Sequence, residues 1–178
     1  MLVLVLYTTV EGQTAKISRH VADQIESAGH EVIVTDVRQP GFAVPGRFDA
    51  VFVCGPIHNG HYPQPLVQFV KDFKAALDEV PNALITVSLS IASQFEDERE
   101  IAKGYPYELS KDTGWIPAER HDAAGALKYL EYNYFKTLLM RQIAAHAGAP
   151  VNTRQDSELT DWEALDRFVS DFLASNFR

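Results

Sequence analysis

The strongest constraint on the fold is an unbroken apolar run, Leu2-Val3-Leu4-Val5-Leu6-Tyr7, that passes directly into the polar turn Thr8-Thr9-Val10-Glu11-Gly12-Gln13-Thr14. The run is too short for a helix, and its lack of alternation fits a strand covered on both faces, as in the middle of a parallel sheet. Downstream, Ile17, Val21, Ile25 and Ala28 recur at helical spacing, and Gly29 stands where a helix C-terminus often needs positive φ. A chain that opens with strand, turn and helix reaches its next parallel strand only by a crossover, and such crossovers are right-handed.

The pattern then repeats. Glu31 to Val37 reads as a second strand, and Pro40, Gly41, Pro45 and Gly46 punctuate the loop to a third strand at Ala50 to Cys54. After the loop Gly55 to Pro63, the residues Leu66, Phe69, Val70, Phe73 and Leu77 make one helical stripe, and Ala83 to Leu89 supplies a fourth strand. Beyond Ser93 the pattern predicts a helix from about Phe95 to Lys103, then a loop marked by Gly104, Pro106, Gly114 and Pro117. His121 to Leu127 reads as a small-residue fifth strand. Thr160-Asp161-Trp162-Glu163 has the form of a capping box with Thr160 as cap, opening a last helix with Leu165, Phe168, Val169, Phe172 and Leu173 on its core face.

The expected architecture is a single α/β domain over residues 1–178, with a five-stranded parallel sheet between two helical layers and an insertion at about 128–150. Ligands of such sheets bind at the C-terminal strand ends, so the loops after Tyr7, Cys54 and Leu89 are the ones that matter.

Composition narrows the classes. A chain of 178 residues can bury one sizeable core, and a net charge of -8 argues against nucleic acid as a partner. The apolar start lacks a basic n-region and a cleavage site. A lone cysteine, Cys54, excludes an internal disulfide and a multi-cysteine metal site; no metal is expected, and the pattern suits a reducing cytoplasm.

The first loop has phosphate-binding chemistry. Free N–H groups and the dipole of a helix N-terminus favour an anion, and Thr9 and Thr14 add hydroxyl donors. On this loop alone, plain helix capping stays open. Neither G-x-x-x-x-G-K-[ST] nor G-x-G-x-x-G is present, and the first strand lacks the acids that a metal-dependent receiver domain requires.

Read from Tyr7, this loop resembles the Y/F-[ST]-T-x-x-G-Q-T stretch of the flavodoxin-type, menaquinone-dependent protoporphyrinogen oxidases. Gly55-Pro56-Ile57-His58-Asn59-Gly60-His61-Tyr62 resembles that family's G-x-x-I-x-x-G-H-Y loop, followed by Phe69-Val70-Lys71. Ala124-Gly125-Ala126-Leu127-Lys128-Tyr129 is similar to its A-G-A-L-[RK]-Y segment, and Asn152-Thr153-Arg154 and Thr160-Asp161-Trp162-Glu163 match its D-T-R and T-D-W-E.

The resemblance implies a flavodoxin-like three-layer sandwich that binds FMN. Within Thr8 to Thr14, it assigns the phosphate to Thr9, Gly12, Gln13 and Thr14, with Thr8 and Val10 in the same loop and Glu11 expected to point outward. Pro56, Ile57, His58, Asn59, Gly60, His61 and Tyr62 are expected to border the isoalloxazine, with Tyr62 or His61 stacking over it; a solvated loop is the rival reading for His58, His61 and Tyr62. Ser88, Leu89 and Ser90 are expected to form the third flavin-facing loop.

The implied activity is oxidation of protoporphyrinogen IX, with electrons passed to a quinone. No catalytic proton acceptor is identifiable; His58, His61 and His121 are candidates only because imidazole titrates near neutrality. The insertion holds Tyr129, Tyr132, Tyr134, Phe135, Leu138, Leu139, Met140 and Ile143, more apolar surface than a connection requires. Core packing, a homodimer, or peripheral contact with the inner face of the cell membrane all remain open for it. Its few basic residues, Lys128, Lys136 and Arg141, weaken the membrane reading. An electron carrier or quinone reductase is the alternative function, and an FMN-free interaction module a third.

Overall fold

The computed structural model describes residues 1–127 and 157–177. Strands β1 (Leu2–Tyr7), β2 (Glu31–Asp36), β3 (Ala50–Pro56), β4 (Asn82–Ser88) and β5 (Glu119–Ala124) form one sheet in the order β2-β1-β3-β4-β5. All four pairings are parallel. Helices α1 (Gln13–Ser27) and α4 (Trp162–Asn176) cover one face, and α2 (Gln64–Asp78) and α3 (Glu96–Thr113) the other. The expected three-layer α/β architecture is therefore present.

Strand alternation divides the core. Val3, Val5 and Phe52 pack against Ile17, Val21 and Phe172 of α1 and α4, while Leu4, Leu6 and Val53 meet Leu66, Val70 and Leu109 of α2 and α3. The central strands β3 and β4 are buried throughout, which is why their sequences are apolar rather than alternating. The Cys54 thiol belongs to this core, and burial pushes its pKa up to about 12. Such a thiol does not ionise near neutrality and is inert.

Beyond shifts of one or two residues at the ends of β2, β3 and β4, three boundaries differ from the sequence expectation. Helix α3 does not stop near Lys103; it runs through Gly104 and Pro106 to Thr113 and ends at Gly114, whose φ of 72° and N–H bond to the Ser110 carbonyl form its C-terminal cap. Strand β5 starts at Glu119 and ends at Ala124, and Ala126–Leu127 (β6) instead pairs antiparallel with Ser157–Glu158 (β7). The cap of α4 is Asp161, whose carboxylate accepts from the Ala164 N–H at 2.9 Å, not Thr160. Thr160 instead donates to the Ala124 carbonyl at 2.7 Å, and Glu163 pairs loosely with Arg167 at 3.8 Å. The expected insertion, 128–150, lies outside the described residues.

Candidate functional site

In a parallel sheet all C-terminal strand ends share one edge, and here backbone bonds stitch the outgoing loops together there. The Thr8 N–H reaches the Cys54 carbonyl at 3.3 Å, Ile57 reaches Val87 at 2.8 Å, and Gly125 reaches Ser88 at 3.2 Å. Above that edge opens a partly open cleft lined by all three of these loops, the place where sheets of this kind take their ligands. It lies where neighbouring strands β1 and β3 lead to α1 and α2 on opposite faces of the sheet, the usual ligand position of doubly wound folds.

The first loop contributes Thr9, Val10, Glu11, Gln13 and Thr14 to the wall. Gly12 adopts φ 94° at the N-cap of α1, a left-handed conformation that glycine reaches without strain. Its N–H donates to Thr9 Oγ1 at 2.9 Å, so the Thr9 hydroxyl hydrogen is left for another acceptor. No side chain caps α1, and its first turn carries no acid. Its opening N–H groups are thus available to an anion. Thr8 Oγ1 is fully buried without a partner, which costs about 1–3 kcal/mol unless something satisfies it. Among the described residues lining the cleft there is no Lys or Arg. These features fit a phosphate held by N–H and hydroxyl donors.

The second loop brings Pro56, Ile57, His58, Asn59 and Gly60 to the wall. His58 and His61 exchange backbone bonds of 2.9 and 3.1 Å around Asn59 (φ 51°) and Gly60 (φ 81°). Two central residues with positive φ mark a tight primed turn, for which Asn-Gly is the preferred pair. Tyr62 does not face the cleft as expected. It is only 6% exposed, with its hydroxyl 2.7 Å from Thr86 Oγ1 in the core beside α2. Its ring packs so tightly on Gly55 that a Cβ there would lie 2.8 Å from it and 2.5 Å from Leu66 Cδ2. Tyr62 therefore plugs the base of the loop instead of covering a ligand.

Val87, Ser88, Leu89 and Ser90 supply the third wall, as the sequence led one to expect for the last three. Tyr105 and Gly125 complete it and were not foreseen. Thr8, Gly12 and His61 lie just outside the lining, whereas Glu11, expected to face outward, is part of it. His121 is removed from the cleft, stacked on Phe168 at 5.1 Å, and burial lowers its pKa. Of the three histidines considered, His58 alone lines the site. Beneath the cleft, Asp122 of β5 is paired in register with Thr86, and burial raises its carboxyl above the usual range.

Comparison with known proteins agrees with this geometry. Protoporphyrinogen IX dehydrogenase [quinone] of Escherichia coli (strain K12) is 27% identical over 169 residues, covering 95% of this chain and 93% of that protein. The protein of the same name from Leishmania major is 28% identical over 172 residues, covering 96% of this chain and 74% of its own length. Among solved structures, a short-chain flavodoxin associated with a bacterial microcompartment superposes with a TM-score of 0.57 at 15% identity, covering 99% of each chain. A flavodoxin from the domain Archaea gives 0.55 at 14% identity and covers the whole of both. The flavodoxin domain model matches residues 4–154, and the chain belongs to that family.

Proposed function

We propose that this protein is an FMN-dependent oxidoreductase that converts protoporphyrinogen IX to protoporphyrin IX and passes the electrons to a quinone. The observation that carries the reading is the three-loop cleft with the uncapped first turn of α1 in its wall. The relatives named for this reaction share nearly the full length of the chain. The α1 turn and the Thr9 hydroxyl hold the phosphate, and the Asn59-Gly60 turn brings backbone groups against the polar edge of the ring system. Leu89 and Tyr105 give the cleft apolar wall that limits water. FMN, when bound, supplies the redox chemistry, and the protein's part is binding and orientation.

Peripheral contact with a membrane belongs to the same proposal and is supported by the aromatic content of residues 128–150 and by the quinone in the relatives' names. No helix among the described residues is long and apolar enough to cross a membrane. A carrier or quinone reductase is the second reading, favoured by the net charge of -8, which suits a basic redox partner. Anaerobic mixing of FMN-loaded protein with protoporphyrinogen IX, followed by flavin absorbance and porphyrin fluorescence with and without a menaquinone analogue, separates the two. Quinone-dependent porphyrin formation is expected; a flavin that stays oxidised would leave the second reading.

A further inference from the structure

We propose that Glu158 is a positioning residue for the cofactor phosphate, acting through the first turn of α1; the inference rests on the FMN reading of the cleft. Gln13 is the first residue of α1 and part of the cleft wall. Its Nε2 donates to Glu158 Oε1 and to Thr160 Oγ1, both at 2.9 Å. One turn on, Lys16 Nζ binds the same carboxylate at 2.7 Å. Thr160 in turn donates to the Ala124 carbonyl at the end of β5, and the Leu159 N–H reaches the Gly125 carbonyl at 3.2 Å.

The turn that offers its N–H groups to the phosphate is therefore tied at two side chains to the strand that re-enters beside the cleft. Preorganised donors bind better than donors that must be ordered on binding. Glu158 also holds the Lys16 ammonium, one turn from the phosphate site, in an ion pair. The two roles predict opposite effects. Loss of the clamp loosens the α1 turn and weakens phosphate binding, whereas release of Lys16 adds attraction for it. The two bonds from Gln13 reach residues far away in sequence and bind the first residue of the turn, so positioning dominates.

The test measures FMN and riboflavin dissociation constants for the unaltered protein, Glu158→Ala, Gln13→Ala and Glu158→Gln, by flavin fluorescence. Riboflavin lacks the phosphate and so reports the ring site alone. Glu158→Ala and Gln13→Ala are each expected to weaken FMN about five-fold, as for one partly exposed polar contact, and to leave riboflavin unchanged. Glu158→Gln keeps an oxygen for Gln13 and is expected to restore most of the loss. The proposal is overturned if Glu158→Ala binds FMN as tightly as, or more tightly than, the unaltered protein, if FMN and riboflavin weaken alike, or if Glu158→Gln gives no rescue. An unaltered protein that binds neither flavin would overturn the cofactor reading itself, and the proposal with it.

Discussion

Replacing Gly55 by alanine tests the packing that seats the second cleft loop. The new methyl would sit 2.5 Å from Leu66 Cδ2 and 2.8 and 2.9 Å from two carbons of the Tyr62 ring. Neither neighbour has room to yield, since Leu66 is fully buried and Tyr62 is held by its bond to Thr86. Overpacking of this kind costs about 1–3 kcal/mol, and stretching the Tyr62–Thr86 bond adds about 1 kcal/mol. A total of about 3 kcal/mol should lower Tm by roughly 6–12 °C in a chain of this size. The assay is thermal and urea unfolding of Gly55→Ala, Tyr62→Val and the double variant. Because Tyr62→Val removes one of the two side chains that the methyl strikes and opens space into which Leu66 can shift, adding Gly55→Ala to it should cost less than Gly55→Ala alone. A Gly55→Ala protein within about 0.5 kcal/mol of the parent would refute the reasoning, as would strictly additive effects.

Gly12→Val should abolish FMN retention after gel filtration, since valine is strained at φ 94° and would crowd the phosphate turn. An unchanged flavin content would remove this loop from the site. Asp122 keeps its proton in the folded protein above the ordinary carboxyl value of 3.8, so folding loses stability as pH rises through that window and stays penalised above it. Asp122→Asn should therefore unfold at higher urea than the parent at neutral pH, with the gain shrinking as pH falls towards 4. For His121 the sign is reversed: its folded pKa lies below 6.5, so stability is lost as pH falls below that value. His121→Phe should flatten the urea midpoint between about pH 7 and 5 while keeping the stack on Phe168. An equally steep profile would place the titration elsewhere.

The strands and most helices were legible because burial on both faces, or on one stripe, writes itself into local sequence. β1, β3 and β4 are such cases, and so is α1 up to Gly29. What failed depended on contacts that local sequence does not carry. Gly104 and Pro106 read as loop punctuation, yet the buried Ala102, Tyr105 and Leu109 hold α3 together through them. Propensity is a weak prior against such packing. That error also hid Tyr105, a residue of the cleft wall.

β5 begins early because Asn82 Oδ1 accepts the Ala118 N–H at 2.9 Å, a contact between positions distant in sequence. It ends early because residues 126 and 127 turn to a partner strand some thirty residues away. For Tyr62 the sequence leaves open a ring stacked on the ligand or a solvated loop; neither holds, because an aromatic next to a glycine-bearing strand can fill the space that the glycine leaves. Asn59-Gly60, by contrast, carried a tight-turn signal in the sequence itself.

The pairing of Leu127 with Ser157 has an architectural consequence. The chain leaves the sheet and comes back at hydrogen-bonded neighbours, so residues 128–156 are a detour whose two ends already meet. A hairpin turn such as Asn-Gly joins ends at this separation without rerouting any of the described strands or helices. Among the described residues, the cleft loops and both core layers are built on β1 to β5 and α1 to α4. The five-stranded frame that carries the described cleft residues is thus closed by a strand pair at the very point where the chain departs from it and rejoins it.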